Sequence, residues 1–233
     1  MASLWSPQVA ATTEREADAA VQKLLSAAIE LARRANSRMI QALLQTDAGG
    51  AANLLSGAGF DHIADLLYLV SPASAFPSVA PSDGLEFEPF ANATAARFAA
   101  IVERTYLATR DCPRLNGVRP IQEVLEGYRA VGRFDSAHWL LVRHGGHDAG
   151  CLLLADHAEH RLWELVYMGI VPEARGKGLG VATTRQAQWL AGRAGAERLV
   201  LAVDAANEPA IRGYAAAGFV GWDRRSVWLK LLS

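Results

Sequence analysis

Apolar and polar residues follow two different periodicities along the chain, and the changes between them predict the order of its elements. From residue 84 onward, LEFEPF alternates as a strand does, and ATAARFAAIVERTYLA and PIQEVLEGYRAVG have helical spacing. The segments HWLLVRHGG and AGCLLLADHAEH then predict two strands joined by a glycine turn. LWELVYMGIV is apolar on both faces, which predicts a central strand covered on both sides. A glycine-rich segment, a helix, the strand RLVLAV, another helix and two final strands complete a mixed α/β sheet flanked by helices.

A proline-rich stretch divides the chain into two unequal parts. SPASAFPSVAPSD, residues 71–83, contains Pro72, Pro77 and Pro81, which cannot donate backbone hydrogen bonds to a helix or a sheet. Its small side chains offer little apolar surface to bury. The sequence therefore predicts a front segment at 1–72, a linker at 73–83 and a main domain at 84–233.

Composition indicates a globular protein that acts on small molecules. Of 233 residues, 51% are hydrophobic, and the formal net charge of −1 gives no excess of cations for nucleic acid or an anionic membrane. No apolar run reaches the roughly 20 residues of a membrane span, and the start of the chain does not resemble a signal peptide, so we expect a cytoplasmic protein. Whether two copies form a homodimer is left open.

Cysteine and histidine usage predicts neither a disulfide framework nor a metal site. Cys112 and Cys151 lack the paired spacing of zinc ligands, and Cys151 lies in the apolar AGCLLLA, which favours a strand core. Histidines 144, 147, 157 and 160 cluster around the predicted hairpin without matching ligands on one strand face. We therefore expect no metal.

The segment VPEARGKGLG predicts a phosphate-binding loop between a strand and a helix. Glycines allow backbone N–H groups to converge on one point, where the helix dipole adds about half a positive charge. Lys177 is followed by Gly178 rather than by Ser or Thr, which excludes a Walker loop, and Val181 stands where a dinucleotide fingerprint needs its third glycine. The alternative is a purely structural role, in which the glycines form a tight strand-to-helix connection without a ligand.

RGKGLG resembles the acyl-CoA loop of the GNAT acyltransferases, with Arg175, Gly178 and Gly180 at the pattern positions. ELVYMGIVPEARGKGLG and LAVDAANEPAIRGYAAAGFV extend the resemblance over about 150 residues, from Gly84 to Ser233. It implies the GNAT fold, acetyl-CoA as cosubstrate and an amine acceptor, which can be a small molecule or a peptide. The residues that the resemblance assigns to acetyl-CoA binding are Met168, Gly169, Ile170, Arg175, Gly176, Lys177, Gly178, Leu179, Gly180 and Asn207.

Glu164 is the candidate general base. It is the only charged residue between Leu162 and Val171, in a strand that otherwise has the pattern of a buried one. Partial burial of a carboxylate raises its affinity for a proton, which suits the deprotonation of an ammonium substrate. Glu164 precedes Arg175 by eleven positions, as the base does in histone-acetylating GNAT members. The alternative is a structural carboxylate in an ion pair.

Four further residue sets carry predictions. Family resemblance places Tyr214 beside the coenzyme sulfur as a general acid, whereas the alternative is a core aromatic. Asn207, followed by Pro209, also has the pattern of a helix N-cap. The resemblance places the N–H groups near Met168, Gly169 and Ile170 beside the thioester carbonyl, and Gly169 is the candidate for a β-bulge. The loop arginines could bind an acidic acceptor or be merely exposed: Arg104, Arg110, Arg114 and Arg119.

The front segment resembles the second half of the main domain. Residues 31–70 and 190–231 both contain a helix end, an apolar strand, an Asp with small residues, a helix, AGF and a strand. The front copy has TTEREADAAVQ in place of a glycine loop and Leu55 in place of the tyrosine. We interpret it as a degenerate GNAT-like half-domain; chance similarity of two αβαβ runs is the alternative.

These features predict an N-acetyltransferase in which a primary amine attacks the thioester of acetyl-CoA directly, within a ternary complex. A non-catalytic acyl-CoA-binding or regulatory module is the competing hypothesis. That module would need the glycine loop but neither Glu164 nor Tyr214, so the presence of both residues favours the enzyme.

Overall fold

The computed structural model describes residues 2–4, 13–81 and 84–232. Within these residues, the strands are β1 (Ala2–Leu4), β2 (Met39–Gln45), β3 (Asp61–Pro72), β4 (Leu85–Pro89), β5 (Trp139–His144), β6 (His147–His157), β7 (Leu162–Ile170), β8 (Arg198–Asp204) and β9 (Val220–Leu231). The α-helices are α1 (Glu14–Arg34), α2 (Gly49–Gly57), α3 (Ala95–Tyr106), α4 (Ile121–Arg129), α5 (Leu179–Arg193) and α6 (Glu208–Ala216). From residue 84, the predicted order of elements is confirmed as far as α6. A single strand, β9, follows in place of the two final strands that we expected.

The chain forms two compact units, Met1–Leu67 with Asp223–Ser233, and Tyr68–Trp222. These bounds differ from the sequence-based division into 1–72, 73–83 and 84–233, which stays a prediction. Part of the expected linker, Ser82 and Asp83, lies outside the described residues.

In the first unit, α1 and α2 pack with a small sheet. Strand β1 runs parallel to β2, and β2 pairs antiparallel with β9 from Met39 opposite Leu231 to Gln45 opposite Arg225. The apolar stripe of α1 supplies Leu25 and Ile29 to a core with Ile40 and Phe60. Each buried aliphatic side chain contributes about 1.5–3 kcal/mol, so this core stabilises the unit substantially.

In the second unit, strands β4 to β8 are neighbours in the order β8-β7-β6-β5-β4. The β4–β5, β5–β6 and β6–β7 pairs are antiparallel, and β7 runs parallel to β8. The open mixed sheet that the sequence predicts is confirmed. On one side, α3 and α4 pack over a core in which the rings of Phe98 and Trp139 stack with centroids 5.8 Å apart.

The strand that is covered on both sides is β6 rather than β7. Cys151, Leu152, Leu153 and Leu154 have no solvent exposure, which confirms Cys151 as a core residue. In β7 only Trp163 and Leu165 are buried, and the residues from Val166 to Ile170 are half-buried. The expectation of a fully covered β7 was wrong because an uninterrupted apolar pattern also fits a strand that lines an apolar cavity.

In the two αβαβ runs of the chain, the last three elements have the same lengths and spacing. The starts of β2 and β8, of α2 and α6, and of β3 and β9 are each 159 positions apart. Backbone details follow the same offset, since Phe60 N–H donates to the carbonyl of Leu55 and Phe219 N–H to that of Tyr214, both at 3.0 Å. This agreement in geometry supports an internal repeat, and its origin as a degenerate GNAT-like copy stays a prediction.

Candidate functional site

A cavity opens where β7 and β8 separate. The two strands pair over three residues each, Leu162–Glu164 of β7 with Arg198–Val200 of β8. On the other side of β7, Leu153 and Leu154 of β6 pair with Tyr167 and Leu165 of β7. Val166 is therefore an extra residue, a β-bulge that bends β7. The cavity of about 430 Å³ is lined by Leu165 to Ile170 of β7 and by Ala202 and Val203 of β8. Backbone polar groups on this edge of β7 have no neighbouring strand and are available to a ligand.

Gly169 serves close packing, not the bulge that we expected at this position. A Cβ atom here would lie 2.5 Å from both Cβ and Oγ1 of Thr105. Thr105 is buried at the end of α3, and its hydroxyl lies 2.7 Å from the hydroxyl of Tyr167. The glycine therefore lets α3 pack directly on β7, and Met168, Gly169 and Ile170 all line the cavity.

The glycine loop forms another wall of the cavity. Gly176 and Gly178 have φ angles of 77° and 78°, a left-handed conformation that side chains disfavour. At Gly176, Gly178 and Gly180 an added Cβ atom would meet nothing within 4 Å, so open space adjoins the loop. Gly178 is the N-cap of the 15-residue helix α5, whose first backbone N–H groups have no intrahelical partner. This arrangement suits the phosphates of acetyl-CoA.

The flanking residues of the loop have different positions. Leu179 is buried and lines the cavity, whereas Lys177 is exposed and lies outside the cavity wall as far as the structure describes it. Arg175 lines the cavity, but its guanidinium donates to the carbonyls of Ile170 (2.9 Å), Ala108 (3.0 Å) and Thr105 (2.8 Å). Arg175 thus ties the loop to the end of β7 and caps the C-terminal end of α3.

Asn207 and Tyr214 enter the cavity wall from α6. Asn207 is the N-cap of this helix, as predicted, and its Oδ1 accepts a hydrogen bond from Ala210 N–H at 3.4 Å. Tyr214 is only 6% exposed and packs its ring against Phe219 with centroids 5.6 Å apart. Burial raises the pKa of the Tyr214 hydroxyl, and the nearby charge of Asp111 raises it further, so Tyr214 keeps its proton.

The structure adds Asp111, which sequence reasoning missed. Asp111 lines the cavity, and its Oδ1 accepts a hydrogen bond from Asp204 N–H at 2.9 Å. Asp204 in turn accepts from Cys112 N–H at 3.0 Å, so the two carboxylates join the loop after α3 to the end of β8. Burial raises the pKa of Asp111, as does the charge of Asp204, while the hydrogen bond from Asp204 N–H opposes this shift. The sequence signal available for this pair of carboxylates was Asp204, a carboxylate directly after the apolar strand segment RLVLAV.

Glu164 lies at the last position where β7 pairs with β8. It is not among the residues that line the cavity, although its neighbour Leu165 is. Its Oε2 lies 3.0 Å from Nε2 of His157, and about a third of its side chain is exposed (35%). The structure thus brings together all the predicted cofactor-binding residues except Lys177, along with Tyr214, and places Glu164 just beyond them. The role of Glu164 as general base stays a prediction.

The loop arginines differ in their surroundings. Arg110 is exposed on the cavity wall, whereas Arg104 forms an ion pair with Glu173. Recognition of an acidic acceptor by these arginines stays a prediction.

Across residues 2–4, 13–81 and 84–232, no group of three or more His, Cys, Asp or Glu is placed to hold a metal ion. No helix among these residues is long and apolar enough to cross a membrane.

Comparison with known proteins agrees with this architecture. A solved structure of a GCN5-related N-acetyltransferase from Sphaerobacter thermophilus superposes with a TM-score of 0.60 over 83% of this chain and 59% of that chain. At 21% sequence identity this similarity shows the fold alone. The fold is therefore that of the GCN5-related acetyltransferases.

The family model of the acetyltransferase (GNAT) family matches residues 103–219, just over half of the 233 residues. The chain belongs to this family, so the sequence-based assignment to the GNAT superfamily is confirmed.

Two relatives share part of their length with this chain. A mycothiol acetyltransferase from Streptomyces bingchenggensis is 35% identical over 132 residues, which are 56% of this chain and 38% of the relative. One from Paenarthrobacter aurescens is 28% identical over 188 residues, 74% of this chain and 54% of the relative. The chain thus spans between about a third and about half of these relatives' length.

Proposed function

We propose that this protein transfers an acetyl group from acetyl-CoA to a primary amine on a small molecule, by direct attack within a ternary complex. The observation that carries the proposal is the cavity between β7 and β8, which has the glycine loop in one wall and Tyr214 in another. Acetyl-CoA supplies the acetyl group as a thioester, and the residues of the chain bind it, orient it and move protons.

Binding is assigned to the loop and the separated edge of β7. The N–H groups at the start of α5 would hold the pyrophosphate, because their dipoles converge on the open space beside Gly176 and Gly178. From Glu164 to Val171 an extended strand spans about 20 Å, a length comparable with the pantetheine arm. The N–H groups of Met168 to Ile170 would donate to that arm and to the thioester oxygen.

Two side chains would move protons. Glu164 would take a proton from the amine as its nitrogen forms a bond to the thioester carbon. The carbon–sulfur bond then breaks, and the Tyr214 hydroxyl would give its proton to the departing sulfur. The raised pKa of Tyr214 keeps it protonated until that step.

A small-molecule acceptor is the favoured class for three reasons. The relatives with significant identity are mycothiol acetyltransferases, and the chain carries a net charge of −1. The cavity of about 430 Å³ is also in the range of small-molecule sites.

The test is coenzyme A release measured with a panel of primary amines, for the wild type and Glu164→Gln. We expect Glu164→Gln to slow turnover by about 10²-fold or more, the usual scale for loss of a general base, with unchanged acetyl-CoA affinity. Glu159→Gln, a change at an exposed carboxylate before β7, is the matched control and should behave as the wild type. Wild-type rates for Glu164→Gln at every pH would return Glu164 to a structural role, and acetyl-CoA binding without turnover of any amine would favour a binding module.

A further inference from the structure

A histidine contacts the proposed base. Nε2 of His157 lies 3.0 Å from Oε2 of Glu164, and a quarter of the His157 side chain is exposed (25%). The register explains the contact: Glu164 pairs with Ala155, and His157 lies two residues further along β6 on the same face. Such diagonal neighbours are within reach of long side chains, and the methyl group of Ala155 leaves room between them.

The backbone after α4 fixes the position of His157. A Cβ atom on Gly132 would lie 3.0 Å from both Cε1 and Nε2 of the His157 ring and 2.9 Å from the carbonyl oxygen of Asp156. Gly132 has a φ of 54°, so a glycine is needed for conformation as well as for space. Arg133 fastens this segment to β6, since its N–H donates to the Asp156 carbonyl at 2.8 Å and its guanidinium pairs with the Asp156 carboxylate at 2.7 Å.

We propose that His157 is a positioning residue for Glu164, holding one carboxylate oxygen so that the other faces the acceptor amine. The inference rests on the proposed function, in which Glu164 is the general base. It extends the site beyond the cavity wall to the end of β6 and the segment after α4.

The chemistry of the pair depends on the charge of the imidazole. When His157 is neutral, its Nε2–H donates to Oε2, and Oε1 accepts the amine proton as the nitrogen–carbon bond forms. When His157 is an imidazolium, its positive charge favours the ionised carboxylate and makes Glu164 a poorer proton acceptor. Next to His157 along the strand, Asp156 forms an ion pair with Arg133. An imidazole that gains a proton would therefore lower turnover, an effect that a glutamine at this position cannot produce.

The experiment compares His157→Ala, His157→Gln and Glu164→Gln. For each variant, kcat/KM for one amine is measured from about pH 5.5 to 8.5, with acetyl-CoA affinity and thermal unfolding alongside. The acceptor's own ionisation is common to all variants and cancels in the ratios to wild type. His160→Gln, the same change at an exposed histidine of the adjoining turn, is the matched control.

We expect His157→Ala to lower kcat/KM by about 10-fold at pH 8, the scale for losing one hydrogen bond to a charged group, with acetyl-CoA affinity unchanged. His157→Gln should recover most of this loss, because its amide also donates to the carboxylate. Glutamine does not titrate, so the ratio of His157→Gln to wild type should rise by about 3-fold or more between pH 8 and pH 6. A purely structural histidine would not produce this change in the pH profile.

The outcomes separate the two proposals. If Glu164→Gln is slow but His157→Gln keeps the wild-type pH profile, the role of His157 is overturned and the proposed function stands. If Glu164→Gln is as active as the wild type, the proposed base is wrong, and the inference on His157 falls with it. If His157→Ala unfolds, the pH profile of His157→Gln decides the question on its own.

Discussion

The two αβαβ runs of this chain share a backbone plan but differ where a ligand would be bound. In the second run, the glycine loop precedes α5, and Asn207 and Tyr214 lie in the cavity wall. In the first run, the positions 159 residues earlier are Ala48 and Leu55. The comparison shows that spacing and turns can be kept while the loop glycines, Asn207 and Tyr214 are all replaced by apolar residues.

The loop shows the difference most clearly. The positions that correspond to Gly176, Gly178 and Gly180 are Ala17, Ala19 and Val21, and all three lie inside the 21-residue helix α1. Inside a helix, backbone N–H groups donate to carbonyls four residues earlier and cannot converge on a phosphate. The first run therefore lacks the feature that gives α5 its free N–H groups, and we expect one acetyl-CoA per chain.

The largest expected effect is that of Gly178→Glu. The added side chain would enter the open space beside the loop, bring a negative charge to the phosphate position and strain a residue with φ of 78°. We expect acetyl-CoA affinity to fall at least about 100-fold by calorimetry, since strain alone costs about 1–3 kcal/mol. Ala19→Glu places the same side chain at the corresponding exposed position of α1 and should leave affinity unchanged. Equal binding by both variants would contradict the assignment of the loop.

Tyr214→Phe gives the next largest effect. It leaves the second run without a hydroxyl at this position, as Leu55 does in the first run. If the hydroxyl protonates the departing sulfur, kcat should fall by about 10- to 100-fold, while the retained ring keeps acetyl-CoA affinity and the unfolding midpoint close to wild type. Steady-state kinetics with the best amine, together with thermal unfolding, provide the measurement. Equal rates would make Tyr214 a core aromatic that merely borders the cavity.

The sequence predicted those parts of the site that are local in the chain. The glycine loop and the N-cap Asn207 have local sequence patterns, Tyr214 was assigned by its resemblance to the GNAT family, and all of them line one cavity. The spacing of apolar residues from residue 84 onward likewise predicted the mixed sheet and the order of elements up to α6.

The remaining features depend on long-range packing, which no local pattern encodes. Arg175 bonds the carbonyl of Thr105, 70 residues earlier, and Asp111 accepts from Asp204, 93 residues later. The contact between His157 and Glu164 depends on the strand register. Gly169 was misassigned because a glycine in a strand fits either a bulge or a close approach, and only the position of Thr105 distinguishes them.

A third difference between the two runs concerns the pH dependence of the free energy of unfolding. Asp204 of the second run corresponds to the neutral Gln45 of the first, and beside Asp204 the half-buried Asp111 has a raised pKa. The native state therefore binds this proton more tightly than the unfolded state, whose value is near 3.8, so stability is lost as the pH rises above that value. Asp111→Asn removes the charge and keeps an oxygen for Asp204 N–H.

We therefore expect the free energy of unfolding of Asp111→Asn, relative to wild type, to increase from about pH 4 to about pH 8 in chemical denaturation. Asp18→Asn changes an exposed carboxylate of α1 and is the control, with a constant difference from wild type across the same range. A constant difference for Asp111→Asn as well would show that its ionisation costs no stability.

The smallest expected effects come from exchanging the helix caps of the two runs. Asn207 caps α6 through Ala210 N–H, whereas Ala48, with φ and ψ of −80° and 53° close to the −87° and 61° of Asn207, has no side chain to cap α2. Ala48→Asn should therefore stabilise the chain by about 0.5–1 kcal/mol, by offering an oxygen to Ala51 N–H, and leave acetyl-CoA affinity unchanged. Asn207→Ala should destabilise it by about 0.5–2 kcal/mol and also weaken acetyl-CoA binding, because this side chain lines the cavity. Denaturation and calorimetry on both variants measure the two effects separately. If Ala48→Asn gained affinity for acetyl-CoA, the first run would retain a binding site, whereas a purely structural effect of both variants would reduce Asn207 to a helix cap.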